Sequence, residues 1–251
     1  MTTMKFMVKH VLLSTLAAVA FATIFTSCSS DDDFWSSDDS GRSYIDYPDA
    51  DGIVDMVIEC PDANHPHIID LGLPSGTKWA CCNVDTDHPE NQNPTNYGGY
   101  YAWGETETKD RYDWNSYIFW TEEENICHDI GVDIAGTQYD VAHVKWGGNW
   151  VMPSLKQIEE LTDNCTCTWT SMNGVSGHRF TSPSGGSIFL PTAGHRWNGN
   201  LSNAGSRGYY WSSTQHPSDS NRAYDLYLCP NDAYGYYYSL GSGHAVRPVS
   251  K

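Results

Sequence analysis

The apolar and polar positions of the chain follow mainly the pattern of short β-strands. Two apolar runs, 67–73 and 77–84, flank the turn residues Pro74-Ser75-Gly76, and this arrangement predicts a hairpin. Further short apolar or aromatic runs are divided by Gly, Ser, Asn and Pro, which favours additional strands. They lie at 97–103, 165–169, 177–181, 187–191, 208–214, 223–228, 234–238 and 244–249. Residues 104–137 lack such a pattern, and we expect an irregular segment there.

One helix is marked clearly. Ser154 is followed three residues later by Gln157, the spacing of a capping box in which each side chain bonds the other residue's backbone. Apolar residues then recur at helical spacing as far as Leu161. The pattern therefore predicts a helix over 155–164. Taken together, the elements predict an α+β fold of mostly antiparallel short strands with one or two short helices.

The first 27 residues have the anatomy of a signal peptide. A basic start is followed by the mostly apolar stretch 11–24, which is too short to cross a bilayer comfortably, and then by Phe25-Thr26-Ser27-Cys28. This end resembles the lipobox of bacterial lipoproteins. The resemblance implies that Cys28 is acylated, with chains such as palmitate, and anchors the mature protein in a membrane. The alternatives are an ordinary signal peptide with an incidental cysteine and a single-span anchor.

Residues 28–55 read as an acidic tether rich in Ser and Asp, because like charges extend such a segment. Its start, Ser29-Ser30-Asp31-Asp32-Asp33, resembles the export tag of lipoproteins that reach the outer face of the outer membrane in Bacteroidetes-type bacteria. The alternative is simply a soluble acidic linker. The run 53–60 (IVDMVIEC) is a possible strand that joins the tether to a domain spanning 56–251.

The composition narrows the class of partner. The formal net charge is −17, and loss of the leader removes two lysines and no acid. A surface this acidic repels phosphate backbones, so we expect no nucleic-acid partner. Aromatic residues make up 13% of the chain, which favours a packed core and a surface rich in rings. Eight cysteines are typical of an exported protein rather than a cytosolic one.

Seven strings occur together in one order over residues 67–250. They are DLGLPSGTKWA (70–80), YYAWGE (100–105), VKWGGNWVMPS (144–154), NGVSG (173–177), IFLPTAG (188–194), YYWSST (209–214) and AVRPV (245–249). In this order they resemble the Fibrobacter succinogenes major paralogous domain family of secreted lipoproteins. The resemblance implies a C-type-lectin-like domain, a fold shared with formylglycine-generating enzymes. The family resemblance predicts the fold of the domain better than it predicts an activity.

Motifs that would indicate catalysis are absent from the sequence. It contains no Gly-x-Ser-x-Gly, no phosphate-binding glycine loop and no His-Glu-x-x-His. The paired cysteines of formylglycine-generating enzymes and the calcium and sugar motifs of lectin-like domains have no match either. We therefore expect a non-enzymatic protein without cofactor or metal. The alternatives are a structural or fimbria-associated envelope subunit and an enzyme related to formylglycine generation.

The cysteine count leaves at least one thiol without an intrachain partner. If Cys28 is acylated, seven cysteines remain, which is an odd number. Cys82 and Cys165 fall where the family often has cysteine. The resemblance therefore implies a disulfide between them.

The aromatic residues divide into two groups. Five tryptophans lie inside the family strings, and we expect them, together with a buried partner for Arg247, to belong to the core: Trp79, Trp103, Trp146, Trp150 and Trp211. The second group lies in Gly-rich and Asn-rich segments near the C-terminus. Its members are Trp197, Asn198, Asn200, Gln215, His216, Asn221, Asn231, Tyr234, Tyr236 and Tyr238.

The second group has the composition of antibody loops. Rings give contact area at low entropy cost, and Asn and Ser give adaptable hydrogen bonds. The late loops of lectin-like folds form the binding face, and some are diversified by adenine-directed mutagenesis, which favours these residue types. We therefore expect loops gathered at one end that bind a protein or a glycan. The alternative is that alternate tyrosines face the solvated side of a sheet.

Overall fold

The computed structural model describes residues 66–84, 93–123 and 126–250. These ranges form two α-helices, α1 (Val141–Trp146) and α2 (Leu155–Asn164), and one short 3-10 helix (Trp114–Ser116). The thirteen strands of the described ranges are β1 (Ile68–Asp70), β2 (Lys78–Ala80), β3 (Trp120–Thr121), β4 (Ile126–Cys127), β5 (Thr166–Met172), β6 (Val175–Thr181), β7 (Ser187–Pro191), β8 (His195–Trp197), β9 (Asn200–Ser202), β10 (Gly208–Gln215), β11 (Arg222–Cys229), β12 (Asp232–Ser239) and β13 (Val249–Ser250).

The strands form small antiparallel sheets. Three sheets have three strands, in the orders β1-β2-β13, β5-β6-β7 and β10-β11-β12, and two pairs, β3-β4 and β8-β9, complete the set in the described ranges. Every named pair is antiparallel. The prediction of mostly antiparallel short strands with one or two helices is confirmed at this level.

The predicted hairpin at the start of the domain is confirmed. β1 pairs with β2 in the register Ile69↔Trp79, and the backbone N–H of Gly76 donates to the carbonyl of Leu73 at 2.9 Å across the turn. β13 then pairs with the other edge of β2, with Val249 opposite Trp79. The sheet thus joins the beginning and the end of the described domain.

Helix α2 and its cap are confirmed residue by residue. Ser154 is the N-cap residue, and its side chain and that of Gln157 form the reciprocal capping box. Ile158 and Leu161 are buried in the core. Gln157 also donates through Nε2 to the hydroxyl of Thr77 at 3.0 Å, which ties the helix to the β1–β2 hairpin.

Two predicted strands are wrong or too long. Residues 97–103 form only an isolated bridge at Tyr101, which pairs with His244, because Gly98 and Gly104 at positive φ turn the chain at both ends. Of the run 244–249, only its last residue enters β13. Over most of their length, both segments pack on the core without forming a β-sheet.

Helix α1 has no counterpart in the sequence-based prediction. Its N-cap is the fully buried Asp140, whose carboxylate accepts from the backbone N–H groups of Ala142, His143, Gly136 and Met152 at 2.8 to 3.2 Å. One carboxylate thus starts the helix and holds two loops. Six residues are too few for a visible helical period, so the pattern missed it.

The framework tryptophans are only partly core residues. Trp79, Trp103 and Trp211 are fully buried, as predicted. Trp146 and Trp150 are half-buried and pack edge to face, with ring centroids 5.3 Å apart. The last two therefore line the rim of the core.

Arg247 has the buried partner that the sequence predicts. Its guanidinium is fully buried, donates through Nε to Oδ1 of Asn83 at 2.7 Å, and donates through Nη1 to the carbonyls of Ala80 and Cys81 at 3.2 and 3.0 Å. These bonds fasten the C-terminal segment to the chain beyond β2.

The disulfide expected between Cys82 and Cys165 is wrong. Neither residue forms a disulfide. Cys82 is buried beyond β2 beside the Asn83–Arg247 contact, whereas Cys165 is the C-cap residue of α2 and is only half-buried. The structure instead gives Cys229, at the end of β11, as disulfide-bonded.

The predictions for the leader (1–27), for Cys28, for the tether (28–55) and for the strand at 53–60 lie outside the described residues. Within the described ranges, no helix is both long enough and apolar enough to cross a membrane.

Candidate functional site

The ten residues predicted to bind a ligand do not gather in one loop cluster. β11 runs from Arg222 to Cys229, so the 215–221 loop before it and the turn that contains Asn231 after it lie at its opposite ends. Eight strand residues span about 25 Å. The residues divide into a β8–β9 set, a 215–221 set and a β12 set.

The 215–221 set is held by local contacts. Gln215 donates through Nε2 to the carbonyl of Ser220 at 3.0 Å, and the His216 ring packs on Tyr237 with centroids 4.7 Å apart. The side-chain oxygen of Asn221 is buried without a hydrogen-bond partner in the described chain. These residues stabilise the connection between β10 and β11, whereas Asn231 is exposed in the β11–β12 turn.

The predicted tyrosines of β12 belong to a sheet surface rather than to loops. Tyr209, Tyr227 and Tyr234 lie opposite one another on β10, β11 and β12, with centroids 5.2 and 5.5 Å apart. Tyr236 and Tyr238 pack against the same cluster, which includes Cys229. We call the five tyrosines the tyrosine face. Tyr209 and Tyr227 are buried, and the three tyrosines of β12 are half-buried.

A buried acid and a buried histidine lie beside the tyrosine face. Asp225 is opposite Trp211 on β10 and Tyr236 on β12, and its Oδ2 lies 3.4 Å from Nδ1 of His244. The His244 ring stacks on Trp211 at 4.0 Å and lies 5.0 Å from the ring of Tyr238. The contact between Asp225 and His244 lacks hydrogen-bond geometry.

Burial disfavours the charged form of both groups. Desolvation raises the pKa of Asp225 well above its ordinary 3.8 and lowers the pKa of His244 well below 6.5. Since both side chains are fully buried, the pair acts on the stability of the sheet and is not open to a substrate.

The β8–β9 set belongs to a second aromatic cluster. The Trp114 ring lies 4.7 Å from that of Trp120 and 6.5 Å from that of Trp197, with interplanar angles of 36° and 84°. We call these three residues the tryptophan group. All three are half-buried. Because two of the rings meet nearly at right angles, the group forms two walls rather than a flat platform.

Local structure fixes each tryptophan. Trp114 begins the short 3-10 helix, which Asp113 caps through Ser116 in a capping box. Trp197 ends β8 just before Asn198-Gly199, whose φ values of 50° and 80° make a two-residue turn of the primed hairpin type. The backbone N–H of Asn198 donates to the carbonyl of Tyr112 at 2.8 Å, which ties the hairpin tip to the segment that carries Trp114.

Polar and apolar groups are exposed around the tryptophan group. Asn198 and Asn200 are exposed at the hairpin tip, next to Trp197 in sequence and, for Asn200, opposite it in register. Ile118, which lies between Trp114 and Trp120 in sequence, is 69% exposed. An exposed mixture of rings, aliphatic groups and amides is typical of a recognition surface.

A cysteine–histidine contact in the β5–β6 hairpin is not arranged for catalysis. The thiol of Cys167 lies 2.8 Å from Nδ1 of His178, whose Nε2 bonds the carbonyl of Cys229 at 2.7 Å. Desolvation of the sulfur raises the pKa of Cys167 to about 12, although the residue as a whole is exposed. Burial also lowers the pKa of His178. The thiol therefore stays protonated, whereas a nucleophile must be a thiolate.

No group of three or more His, Cys, Asp or Glu side chains that could hold a metal ion occurs in the part of the chain that the structure describes.

Sequence reasoning missed Trp114 and Trp120, which lie in the segment that has no apolar pattern. The β8–β9 hairpin, which carries Trp197, could have been predicted, because Asn-Gly between two strands is a strong indicator of a hairpin turn. It occurs at 198–199 and again at 173–174, where it joins β5 and β6.

Comparison with known proteins adds no relative: no family model matches the chain, and neither a curated protein nor a solved structure does.

Proposed function

We propose that this protein is a surface-displayed lipoprotein whose domain binds a neutral glycan through the tryptophan group. In this proposal Cys28 carries the lipid anchor in the outer membrane, and the acidic tether places the domain outside the cell. The domain is C-type-lectin-like and a member of the Fibrobacter succinogenes major paralogous domain family. The sequence motifs above support the anchor and the family.

The observation that carries the proposal is the composition of one surface. The indole ring of Trp114 contacts those of Trp120 and Trp197, and Trp197 is next to the exposed Asn198 in sequence and opposite the exposed Asn200 in register. A sugar ring has an apolar C–H face, which packs on aromatic rings, and a rim of hydroxyl groups that pair with amides.

The net charge of the protein favours neutral over acidic glycans as ligands. The chain carries a formal net charge of −17, so sulfated or uronic-acid polymers meet long-range repulsion, whereas neutral sugars do not.

The proposal is tested with the full chain purified in detergent. An array of neutral bacterial and host glycans identifies a ligand, and calorimetry then compares the wild type with Trp197→Ala and Trp114→Ala. A central aromatic anchor contributes about 2 kcal/mol or more, so we expect each variant to lose about 30-fold in affinity or more. Trp150→Ala, another half-buried tryptophan that packs on Trp146, is the matched control and should bind normally.

Two outcomes would contradict the proposal. One is glycan binding that survives both substitutions in the tryptophan group. The other is an array without any neutral glycan ligand while the same surface captures a protein, which would make the ligand a protein.

A further inference from the structure

We propose that the segment 53–60 of this chain docks on the tyrosine face and is fastened there by a disulfide between Cys60 and Cys229. The proposal concerns a different surface from the tryptophan group. It uses the proposed acylation of Cys28 in one step only, the choice between two possible partners of Cys229.

The first step is an elimination. Cys229 is disulfide-bonded. The other cysteines of the described ranges form no disulfide; they are Cys81, Cys82, Cys127, Cys165 and Cys167. The sequence contains two further cysteines, Cys28 and Cys60. An acylated Cys28 holds its sulfur in a thioether and has no thiol to offer, which leaves Cys60.

The second step is reach. Five residues lie between Cys60 and Pro66, the first described residue, so the extended chain from one to the other spans up to about 20 Å. β1 lies against the chain just before β7, because a side chain at Gly186 would meet the carbonyl of Asp70 at 2.8 Å. β7 pairs with β6, and His178 of β6 bonds the carbonyl of Cys229. These contacts link the start of the described domain to the end of β11, where Cys229 lies.

The third step is the side-chain pattern of the segment. In a strand, side chains at alternate positions share one side. If Cys60 points toward the sheet, then Ile58, Met56 and Val54 point the same way, while Asp55 and Glu59 point outward. One side of the segment is thus wholly apolar and the other carries both acids.

The face that receives the segment matches it. Cys229 packs in one cluster with Tyr209 and Tyr227, and the three tyrosines of β12 pack around that cluster. A disulfide at Cys229 therefore brings the apolar side of its partner segment onto the rings. The occupant supplies aliphatic groups, and the tyrosine face supplies aromatic ones.

The redox chemistry balances with an oxidant of a known class. Two thiols lose two protons and two electrons as the S–S bond forms, and the electrons reduce the disulfide of an envelope thiol oxidase to a dithiol through a mixed disulfide. Cys167 is the thiol nearest to this bond along the His178 contact. Its pKa of about 12 keeps it protonated, so it exchanges slowly with the Cys60–Cys229 bond.

The disulfide is tested by peptide mapping of the full chain from the oxidising compartment. Thiols are blocked in denaturant, the chain is digested without reduction, and linked peptides are identified by mass spectrometry. The expected product joins the peptides of Cys60 and Cys229, with Cys82 and Cys165 alkylated. A Cys28–Cys229 link would also show that Cys28 is not acylated. Either that link, a link from Cys229 to any other cysteine, or an alkylated Cys229 overturns the proposal.

Docking on the tyrosine face is tested by hydroxyl-radical footprinting. Wild type and Cys60→Ser are compared, and Cys127→Ser is the matched control because Cys127 forms no disulfide. Loss of the clamp should raise the oxidation rates of Tyr234 and Tyr236 about threefold or more and leave that of Trp197 unchanged. Equal tyrosine rates in the wild type and Cys60→Ser would show that the segment does not cover this face.

Discussion

The tyrosine face and the tryptophan group have similar composition but different positions in the fold. The tyrosines follow the register of β10, β11 and β12, and two of them are fully enclosed. The tryptophans come from a 3-10 helix, a two-residue strand and a hairpin tip, and Ile118, between two of them in sequence, is exposed. Regular sheet register favours packing, whereas turns bring side chains to the surface.

The comparison shows that a sequence rich in Tyr, Trp and Asn does not by itself mark one binding surface. The predicted set mixes members of both regions, because Trp197 belongs to one and Tyr234, Tyr236 and Tyr238 to the other. What separates them is the element on which each residue lies. We therefore propose that the tyrosines stabilise the fold and that the tryptophans contact the ligand.

The largest expected difference is in stability. Tyr227→Ala removes a ring that is 4% exposed at the centre of the tyrosine face and should lower the free energy of unfolding by about 3–5 kcal/mol. Trp197→Ala removes a half-buried ring at a hairpin tip and should cost under about 1 kcal/mol. Urea unfolding of both variants measures the difference. Equal losses would erase the distinction between the two regions.

The second prediction concerns pH and sharpens the account of the tyrosine face. The raised pKa of Asp225 means that the folded state keeps a proton that the unfolded chain releases above pH 3.8. Stability from this group is therefore complete below that pH and falls as pH rises toward the folded pKa. Asp225→Asn removes the titration. As pH rises above 3.8, the variant should therefore gain stability relative to the wild type.

The lowered pKa of His244 affects stability at acid pH. Below pH 6.5 the unfolded chain binds a proton at this residue that the folded state does not bind. His244→Gln should therefore retain stability better than the wild type as pH falls below 6.5. Both predictions are measured by unfolding curves of the wild type, Asp225→Asn and His244→Gln at matched pH values. A pH-independent offset between Asp225→Asn and the wild type would mean that Asp225 is ionised in the folded protein.

The smallest effect is expected at the N-terminal cap of α2. Ser154→Ala removes the N-cap of α2 and should lower the free energy of unfolding by about 1 kcal/mol. Ser218→Ala, at an exposed position of the 215–221 loop, is the control and should have little effect. Thermal unfolding followed by circular dichroism compares them. An unchanged midpoint for Ser154→Ala would show that the cap bonds contribute nothing.

Local signals predicted the elements that local chemistry determines. The Ser154–Gln157 spacing located both ends of α2, and Pro74-Ser75-Gly76 located the first hairpin. Long-range contacts determine the parts that were wrong. Residues 97–103 have the composition of a strand, but the core binds them through Trp103 and Tyr101. Helix α1 depends on Asp140, whose bonds reach Gly136 and Met152 as well as the helix.

Only part of the candidate site could be predicted from the sequence. Trp197, Asn198 and Asn200 were named from composition, and the structure places them beside two tryptophans that composition alone did not single out. The 3-10 helix that carries Trp114 comes close to β8 through the bond from Asn198 to Tyr112, a contact between residues far apart in sequence. No local pattern encodes such a contact.

The most direct test of the central claim is a paired binding measurement on one ligand. The affinity of the full chain for a neutral glycan from the array is measured by calorimetry for the wild type, Trp197→Ala and Tyr234→Ala. The account predicts a loss of about 30-fold or more for Trp197→Ala and a change within about twofold for Tyr234→Ala. The opposite result, with affinity lost on the tyrosine substitution and kept on the tryptophan substitution, would contradict it.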